Sequence, residues 1–254
     1  MLEVYHWEPN GASGRILIVL AEKRLEFTAH YVDVLALAQY RPPLRELCGT
    51  GEIPILILDG AAYTGETQVA ELLEETFVPS PLMPADPLGR WQVRVWQKYV
   101  DDGLAASVSD LAWNAYAPRA DGAVAANLRA AVERLAEPQQ RAEWTAALEG
   151  GSDERLAQSR ARVAAAIAKI ESTLTGAPWL AGASFTLADA AVFPYLRYLP
   201  ALVPELLSAA SAPRTTAWLS AVGERPAVRE ALGRGRTADP FTVAAPGPQS
   251  VRWG

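Results

Sequence analysis

The chain has 254 residues, which is enough for two modest domains that each bury a core. Half of the residues are hydrophobic and the formal net charge is −6, so the composition argues against a nucleic-acid-binding surface. The single cysteine, Cys48, excludes an internal disulfide and a Cys-x-x-Cys pair, and two histidines are too few for a histidine-rich metal site. Without an apolar run of membrane length or a secretory signal pattern, we expect a cytoplasmic protein with no membrane span and no metal.

The first 80 residues predict a small domain of strands and helices. Hydrophobic periodicity predicts a strand over 2–7, a helix over 15–25, and further strands over 27–34, 55–58 and 61–64. Between the last two strands, Asp59-Gly60 is typical of a two-residue hairpin turn. A helix follows, with an apolar face formed by Val69, Leu72, Leu73 and Phe77. The order strand, helix, strand, then strand, strand, helix predicts a thioredoxin-like domain.

A proline-rich segment separates this part from the rest of the chain. Residues 79–86 contain three prolines and cannot continue a helix, so we predict a first domain over 1–80 and a second from residue 87. From 87 to 236 the sequence is rich in Ala, Leu, Arg and Glu with helical periodicity, which predicts an all-helical domain. Residues 237–254 contain three prolines and two glycines and predict an extended tail.

Two short motifs lie in these two parts. They are Ile53-Pro54, at the entry to an apolar run, and Thr186-Leu187-Ala188-Asp189. Pro54 is tolerated at a strand start, where a cis bond can turn the backbone outward. Thr186 is a helix N-cap, and Asp189 completes a capping-box variant. The pair resembles the glutathione transferase superfamily, which implies an α/β thioredoxin-like domain, then an all-α helical bundle domain, and glutathione as cosubstrate.

Three further segments narrow the resemblance within that superfamily. Residues 21–27, 93–102 and 138–144 look like segments of the bacterial glutathione-dependent β-aryl etherases, which cleave lignin-derived dimers. The resemblance covers most of the chain and implies a small aromatic ether as the second substrate. It also implies the reaction: the glutathione thiolate attacks the carbon that bears the aryloxy group, next to an aryl ketone, and a phenol leaves.

Ser13 is the candidate catalytic residue. It stands just before the first predicted helix, where its hydroxyl can donate to a thiolate and the helix N-terminus adds partial positive charge. A thiol with a pKa of ~8.5 needs a depression of roughly two units, about 2.7 kcal/mol, to ionise fully at neutral pH. By position alone, an N-cap is the commoner role of such a serine. The resemblance to the transferases favours the catalytic role.

The resemblance also implies further contacts with glutathione. Ile53, which precedes Pro54, would pair its backbone with the cysteinyl residue of glutathione. Gln39 and Tyr40 fall where the family places polar side chains near the glycyl carboxylate. The alternative for Gln39 and Tyr40 is a solvated loop face. We interpret Cys48, in the connecting loop, as a bystander.

The start of the third predicted helix departs from the superfamily pattern. Members usually have Glu/Gln-Ser there to hold the γ-glutamyl carboxylate, whereas the ungapped register gives Gly65-Glu66. Two like charges at ~4 Å repel by ~4 kcal/mol at an effective dielectric of 20, so Glu66 would weaken glutathione binding. A one-residue slip gives Glu66-Thr67 as an equivalent pair but moves Val69 and Leu73 off the apolar face. Helical periodicity favours the ungapped register, and a bulge at Gly65 would reconcile the two.

Aromatic residues supply a candidate acceptor site. Trp7 ends the first predicted strand, and Trp113 and Tyr116 are spaced i, i+3 on one helix. In a transferase they would wall a hydrophobic pocket for flat aromatic substrates, with core packing as the alternative for each. For Trp96 and Trp144 we predict core packing.

Three functions are open at this point. The preferred one is a glutathione-dependent β-etherase. If Gly65-Glu66 abolishes glutathione binding, the chain is a non-catalytic transferase-like subunit that supports a catalytic partner. The third is a general transferase that acts on other electrophiles. The resemblance implies a homodimer, or a heterodimer with a related subunit, in which the thioredoxin-like domain of one chain packs on the helical domain of the other.

Overall fold

The N-terminal part of the protein is built on a four-stranded mixed sheet. The structure is a computed structural model that describes residues 1–120 and 122–245. The strands are β1 (Leu2–His6), β2 (Thr28–Tyr31), β3 (Ile55–Leu58) and β4 (Ala61–Tyr63), in the spatial order β2-β1-β3-β4. β1 runs parallel to β2 and antiparallel to β3, and β3 is antiparallel to β4. The predicted thioredoxin-like arrangement is confirmed.

Helices and the loops between them surround the sheet and make up the rest of the described chain. In the first part they are α1 (Gly11–Glu22), α2 (Leu44–Leu47) and α3 (Glu66–Thr76). The helical part contains α4 (Pro87–Tyr99), α5 (Ala105–Tyr116), α6 (Gly122–Glu133), α7 (Pro138–Glu149), α8 (Asp153–Thr173), α9 (Leu187–Leu196), α10 (Leu199–Leu202), α11 (Pro213–Gly223), α12 (Pro226–Leu232) and α13 (Pro240–Ala244). A π-helical turn, Val100–Leu104, joins α4 to α5. No helix in these ranges is both long and apolar enough to cross a membrane.

Two local predictions in the sheet are confirmed. Leu58 pairs with Ala61, so Asp59 and Gly60 alone form the hairpin turn. Their φ angles of 50° and 87° are the two positive values that a type I′ turn requires. The Ile53–Pro54 peptide bond is cis and leads directly into β3.

The predicted capping box begins α9. Thr186 Oγ1 accepts from the N–H of Ala188 at 3.2 Å, and Asp189 Oδ2 accepts from the N–H of Thr186 at 3.0 Å. Asp189 Oδ1 also accepts from the N–H of Leu180 and from Trp218 Nε1. Burial raises the pKa of Asp189 to about 6, although these hydrogen bonds oppose the rise. The carboxylate therefore fixes the start of a helix that is buried along its whole length.

One hydrophobic core joins the two predicted domains. α1 is apolar on every side of its middle turns, and residues 16–20 are almost completely buried. Leu73 on α3 belongs to the same core cluster as Val93 on α4 and Leu187 on α9. The two parts therefore share a core, and the limits 1–80 and 87–236 stay a prediction.

The end of the described chain differs from the expected extended tail. Pro240–Ala244 forms the short helix α13, and Asp239 Oδ2 accepts from the N–H of Thr242 at 2.9 Å. The signal was present in the sequence, because Asp followed by Pro is a favoured start for a helix. Residues 246–254 of the predicted tail lie outside the described residues.

Candidate functional site

Ser13 lies inside the first turn of α1 and not ahead of it. The helix was expected from residue 15, but it begins at Gly11 with Asn10 in the N-cap position. Ser13 is therefore not the N-cap. Its Oγ accepts a hydrogen bond from the backbone N–H of Trp7, at the end of β1, over 3.1 Å. Since the hydroxyl proton has no acceptor within residues 1–120 and 122–245, it remains available for a ligand.

The surroundings of Ser13 are closely packed. A Cβ on Gly14 would lie 2.8 Å from the backbone of Pro9 and 2.9 Å from Pro194 on α9, so glycine is needed for this close approach. In the same turn, Asn10 Oδ1 and Trp7 Nε1 are buried without a hydrogen-bond partner in the described part of the chain. Buried polar atoms are nearly always satisfied, so this corner has unused capacity for a polar ligand or for water.

Ile53 and Pro54 have the geometry that the transferase resemblance implies. Pro54 is buried and Ile53 half-buried, and the bond between them is cis. Neither the N–H nor the C=O of Ile53 bonds to another backbone group that the structure describes. This backbone is therefore free to pair with an extended ligand, as a strand edge does.

Gln39 and Tyr40 are not on a solvated loop face. Gln39 is buried, donates weakly to the carbonyl of Val34, and leaves its own Oε1 without a partner in the described ranges. The Tyr40 ring packs on Gly51, where a Cβ would lie 2.3 Å from the ring. The Tyr40 hydroxyl accepts from Trp144 Nε1 at 3.0 Å, and burial raises the pKa of Tyr40. Tyr40 thus connects the loop around α2 to helix α7.

A cavity of about 270 Å³ adjoins Tyr40. Three arginines line it: Arg41 and Arg45 near α2, and Arg134 just after α6. Glu137 lies 3.7 Å from Arg45 and compensates part of this charge. The cavity is therefore positive in a protein of negative net charge. A larger cavity, of about 480 Å³, lies between α8 and the segment before α11 and contains none of the predicted site residues.

Glu66 is the first residue of α3, and its side chain turns into the protein. Gly65, with a φ of 85°, makes the turn before it, and Val69 and Leu73 are buried on the inner face of an unbroken helix. Both carboxylate oxygens of Glu66 accept from the hydroxyl of Tyr195 on α9 at 2.9 Å. Arg15 Nη1 lies 4.0 Å from Glu66 Oε2. The helix is thus unbroken from Glu66 and the carboxylate faces α9 and α1, while the ungapped register stays a prediction.

Thr67 and Asp101 complete this charged cluster. Arg15, which is 0% exposed, donates to Thr67 Oγ1 at 2.8 Å, and Thr67 donates in turn to Asp101 Oδ2 at 2.7 Å. Asp101 lies on the π-helical turn, 3.6 Å from Arg15, and is about one-third exposed. π-helical turns of this kind are common at functional sites. The cluster therefore offers one accessible carboxylate beside the N-terminus of α3.

The predicted aromatic residues lie together in one buried cluster. Trp113 and Tyr116 are 5.4 Å apart and edge-on, and Trp144 packs edge-on against Trp113 at 5.6 Å. Trp7 belongs to the same cluster. Trp144 was predicted to lie in the core, and it is completely buried, but it also bonds to Tyr40. Trp96 is buried as predicted, and its Nε1 donates to the carbonyl of Leu180.

Several participants in the site were missed by sequence reasoning. Arg15 carried a usable signal, since a charged residue within an otherwise apolar helix must find a partner when buried. The sequence contained no such signal for Asp101 or Tyr195, because each reaches the cluster only through tertiary packing. The described residues contain no group of three or more His, Cys, Asp or Glu side chains that could hold a metal ion.

Comparison with known proteins gives the site a family context. A family model described as the glutathione S-transferase N-terminal domain matches residues 12–76, and one described as the C-terminal domain matches residues 105–226. The chain belongs to the glutathione S-transferase superfamily. The N-terminal match includes Ser13 and the Ile53–Pro54 turn, and the C-terminal match includes the capping box of α9.

Within the superfamily the chain is similar to a β-etherase over nearly its whole length. Protein LigF of Sphingobium sp. strain SYK-6 is 29% identical over 251 residues, which are 94% of this chain and 95% of LigF. The crystal structure of β-etherase LigF from that strain has a TM-score of 0.82, with 28% identity, and the match covers 92% of this chain and 99% of that chain. The resemblance to β-aryl etherases is therefore confirmed.

Other relatives match less of the sequence or only the fold. A probable maleylacetoacetate isomerase of Caenorhabditis elegans is 30% identical over 101 residues, 40% of this chain and 47% of that protein. A glutathione transferase family member from Pseudomonas fluorescens, solved with two glutathione bound, has a TM-score of 0.70 at 19% identity over 91% of this chain and 92% of that chain. These likenesses agree with the glutathione S-transferase fold.

Proposed function

We propose that this glutathione transferase is a β-etherase that cleaves aryl ether bonds in small, lignin-derived aromatic compounds. The observation that carries the proposal is Ser13 in the first turn of α1, whose hydroxyl proton has no acceptor among the described residues, in a chain similar to β-etherase LigF over more than nine-tenths of its length. The serine would donate to the glutathione thiolate. The N–H groups at the start of α1 add partial positive charge at the same point.

The reaction forms one bond and breaks one. The thiolate attacks the carbon that bears the aryloxy group, next to an aryl ketone, and the C–O electron pair leaves with the aryloxy group. The products are a glutathione thioether and a phenol, which takes up the proton that the thiol lost. Holding thiolate and electrophile together supplies much of the acceleration, so this chain's main task is to position the two.

The contacts for the rest of glutathione are also a proposal. The backbone of Ile53 would pair with the cysteinyl residue, and the glycyl carboxylate would lie near Tyr40, where Arg41 and Arg45 line the positive cavity. The γ-glutamyl head is a zwitterion. Its carboxylate would accept hydrogen bonds from the N–H groups at the start of α3, beside Thr67. Its ammonium group would donate to the partly exposed carboxylate of Asp101.

The aromatic cluster supports a flat acceptor. Trp7, Trp113 and Tyr116 would contact the aryl rings of the ether, since edge-on and offset aromatic contacts are favourable. Trp144 would support them from behind through its contact with Trp113.

The test combines binding with product analysis. We expect calorimetric titration to show one glutathione site per chain, and incubation with a β-aryloxy aryl ketone to release phenol and glutathione thioether in equal amounts. Binding without ether cleavage, together with turnover of alkyl or aryl halides, would favour the general transferase. Absence of glutathione binding would favour the supporting subunit, although Glu66 no longer argues for it because its carboxylate faces Tyr195.

A second test concerns assembly. We propose a dimer in the cytoplasm, with the thioredoxin-like part of one chain against the helical part of its partner, and a heterodimer with a related subunit as the alternative. Sedimentation at micromolar concentration should then give twice the chain mass of 27.3 kDa. A species of single-chain mass alone would contradict both the homodimer and the supporting-subunit hypothesis.

A further inference from the structure

The connection between β1 and α1 is buried at each of its four residues, 7–10. It contains the backbone N–H of Trp7, which donates to Ser13 Oγ at 3.1 Å. His6 Nδ1 lies 2.6 Å from the carbonyl oxygen of Trp7, and Nδ1 carries the proton because a carbonyl oxygen can only accept. Both backbone polar groups of Trp7 are thus in use, and the position of this backbone determines which hydrogen bond the Ser13 hydroxyl accepts.

The residue after Trp7 is a glutamate with a completely buried carboxylate. Glu8 Oε1 accepts from the hydroxyl of Tyr31, on β2, at 2.7 Å, and both Glu8 oxygens accept from the N–H of Arg236 at 3.0 Å. A Cβ on Gly235 would lie 2.6 Å from Glu8 Oε2, so only glycine permits this close approach. Burial, and then the hydrogen bond to Glu8, raise the pKa of Tyr31, so its hydroxyl keeps the proton that it donates. The carboxylate is therefore fixed from two sides.

A negative charge is an unfavourable choice for this position. A buried carboxylate loses its hydration, and the donors to Glu8 in the described chain are a hydroxyl and a backbone N–H, which are both neutral. The Arg236 guanidinium lies instead over the Tyr31 ring, 3.9 Å from its centroid. A carboxylate in the connection that leads to Ser13 also repels a thiolate that forms there. The charge of Glu8 therefore opposes the reaction, and what the site gains from Glu8 is its hydrogen bonds.

These hydrogen bonds fix the neighbours of Glu8 as well. The N–H of Asn10, the N-cap residue of α1, donates to the Glu8 carbonyl at 2.6 Å. The rings of Trp7 and Tyr31 pack against each other with their centroids 5.5 Å apart. Tyr31 thus holds the connection twice, through its ring and through its hydroxyl. A shift of Glu8 would move Trp7 on one side and Asn10 on the other, and with them the donor to Ser13 and the start of α1.

We propose that Glu8 is a positioning residue for Ser13. Its carboxylate, held by Tyr31, fixes the backbone of Trp7 so that the Trp7 N–H donates to Ser13 Oγ and the hydroxyl proton is left for the glutathione thiolate. The proposal rests on the proposed function for the role of Ser13, but not for the coupling between Glu8 and Ser13. A displacement of about 1 Å at a reacting group can lower a rate about 10²-fold, so the rigidity of this connection affects the reaction.

Hydrogen exchange of the Trp7 amide, followed by NMR, tests the coupling in the free protein, because this N–H is the donor to Ser13. Glu8→Ala should raise the exchange rate of the Trp7 amide about tenfold or more above its rate in the matched control, Glu171→Ala. Glu171 also accepts from a hydroxyl and from backbone N–H groups, at the start of α11. Glu8→Gln should keep slow exchange, since it retains the oxygen on which both hydrogen bonds meet.

Tyr31→Phe keeps the ring and removes one hydrogen bond, so it supplies the test if Glu8→Ala does not fold. It should speed exchange of the Trp7 amide and raise the pKa of the thiol of bound glutathione, measured by ultraviolet absorbance against pH. Thr215→Val, which removes the hydroxyl donor to Glu171, should change neither.

Three results would overturn the positioning role. They are equal exchange of the Trp7 amide in the Glu8 and Glu171 variants, fast exchange in Glu8→Gln, and an unchanged thiol pKa in a Tyr31→Phe variant with faster exchange. Failure of the unmodified protein to cleave ethers would overturn the proposed function alone and leave the exchange result standing.

Discussion

Ser13→Ala is expected to lower turnover of an aryl ether by about 10²–10³-fold, the usual loss when one donor to a developing negative charge is removed. The hydroxyl proton is free within the described chain, and the helix N-terminus alone stabilises the thiolate less. The substitution also leaves the buried N–H of Trp7 without its acceptor, at a cost of about 1–3 kcal/mol in the free energy of unfolding. Activity and stability therefore have to be measured together.

Two measurements separate these effects. The ultraviolet absorbance of bound glutathione, followed against pH, reports the pKa of its thiol, which should rise in Ser13→Ala. Ser159→Ala is the matched control. Ser159, on α8, is also buried, and its hydroxyl donates to Asp110 at 2.8 Å. It should lose similar stability and keep its turnover. Turnover of Ser13→Ala within a factor of two of the unmodified protein would remove the serine from the mechanism.

The parts of the fold that the sequence predicted well depend on local chemistry. Asp59-Gly60 specifies its turn because both residues tolerate positive φ, and Thr186 with Asp189 specifies a helix start within four residues. Pro54 likewise predicts the strand that follows it. In each case the residues that interact are neighbours in the sequence, so a single segment contains the whole signal.

The site depends on contacts between distant residues, and there the sequence was less informative. Glu66 and Tyr195 are far apart in the chain, and the hydrogen bond between them exists only because α3 and α9 both pack on α1. The sequence pattern placed Glu66 near the start of the third helix but could not give the direction of its side chain. Arg236 and Glu8 are a second such pair, and their contact fixes the chain just ahead of the predicted extended tail.

The direction of the Glu66 side chain reverses the effect that its charge alone predicts. If the carboxylate faced the ligand, Glu66→Ser would relieve repulsion and tighten glutathione binding by about 1–3 kcal/mol, roughly 5-fold to 150-fold. In the structure the carboxylate is 4% exposed, accepts from Tyr195, and lies 4.0 Å from the buried guanidinium of Arg15. The positive charge of Arg15 beside the carboxylate means that the pair together presents little net charge to a ligand carboxylate.

Glu66→Ser is therefore expected to lower the free energy of unfolding by about 3 kcal/mol and to leave glutathione binding unchanged or weaker. The loss arises because Arg15 stays buried with Asp101 as its remaining carboxylate neighbour, and removing one partner of a buried charge is strongly destabilising. Chemical denaturation measures the first effect, and calorimetric titration with glutathione measures the second.

Conservative substitutions show whether hydrogen bonding or charge holds the site together. Glu66→Gln keeps an acceptor for Tyr195 but removes the charge beside Arg15, whereas Tyr195→Phe keeps the charge and removes the donor. A double-mutant cycle of these two changes should be non-additive by about 0.5–3 kcal/mol, because the residues share one contact. Additive losses, or tighter binding of glutathione by Glu66→Ser, would mean that the carboxylate faces the ligand. Repulsion between Glu66 and the ligand carboxylate would then again support the supporting-subunit hypothesis.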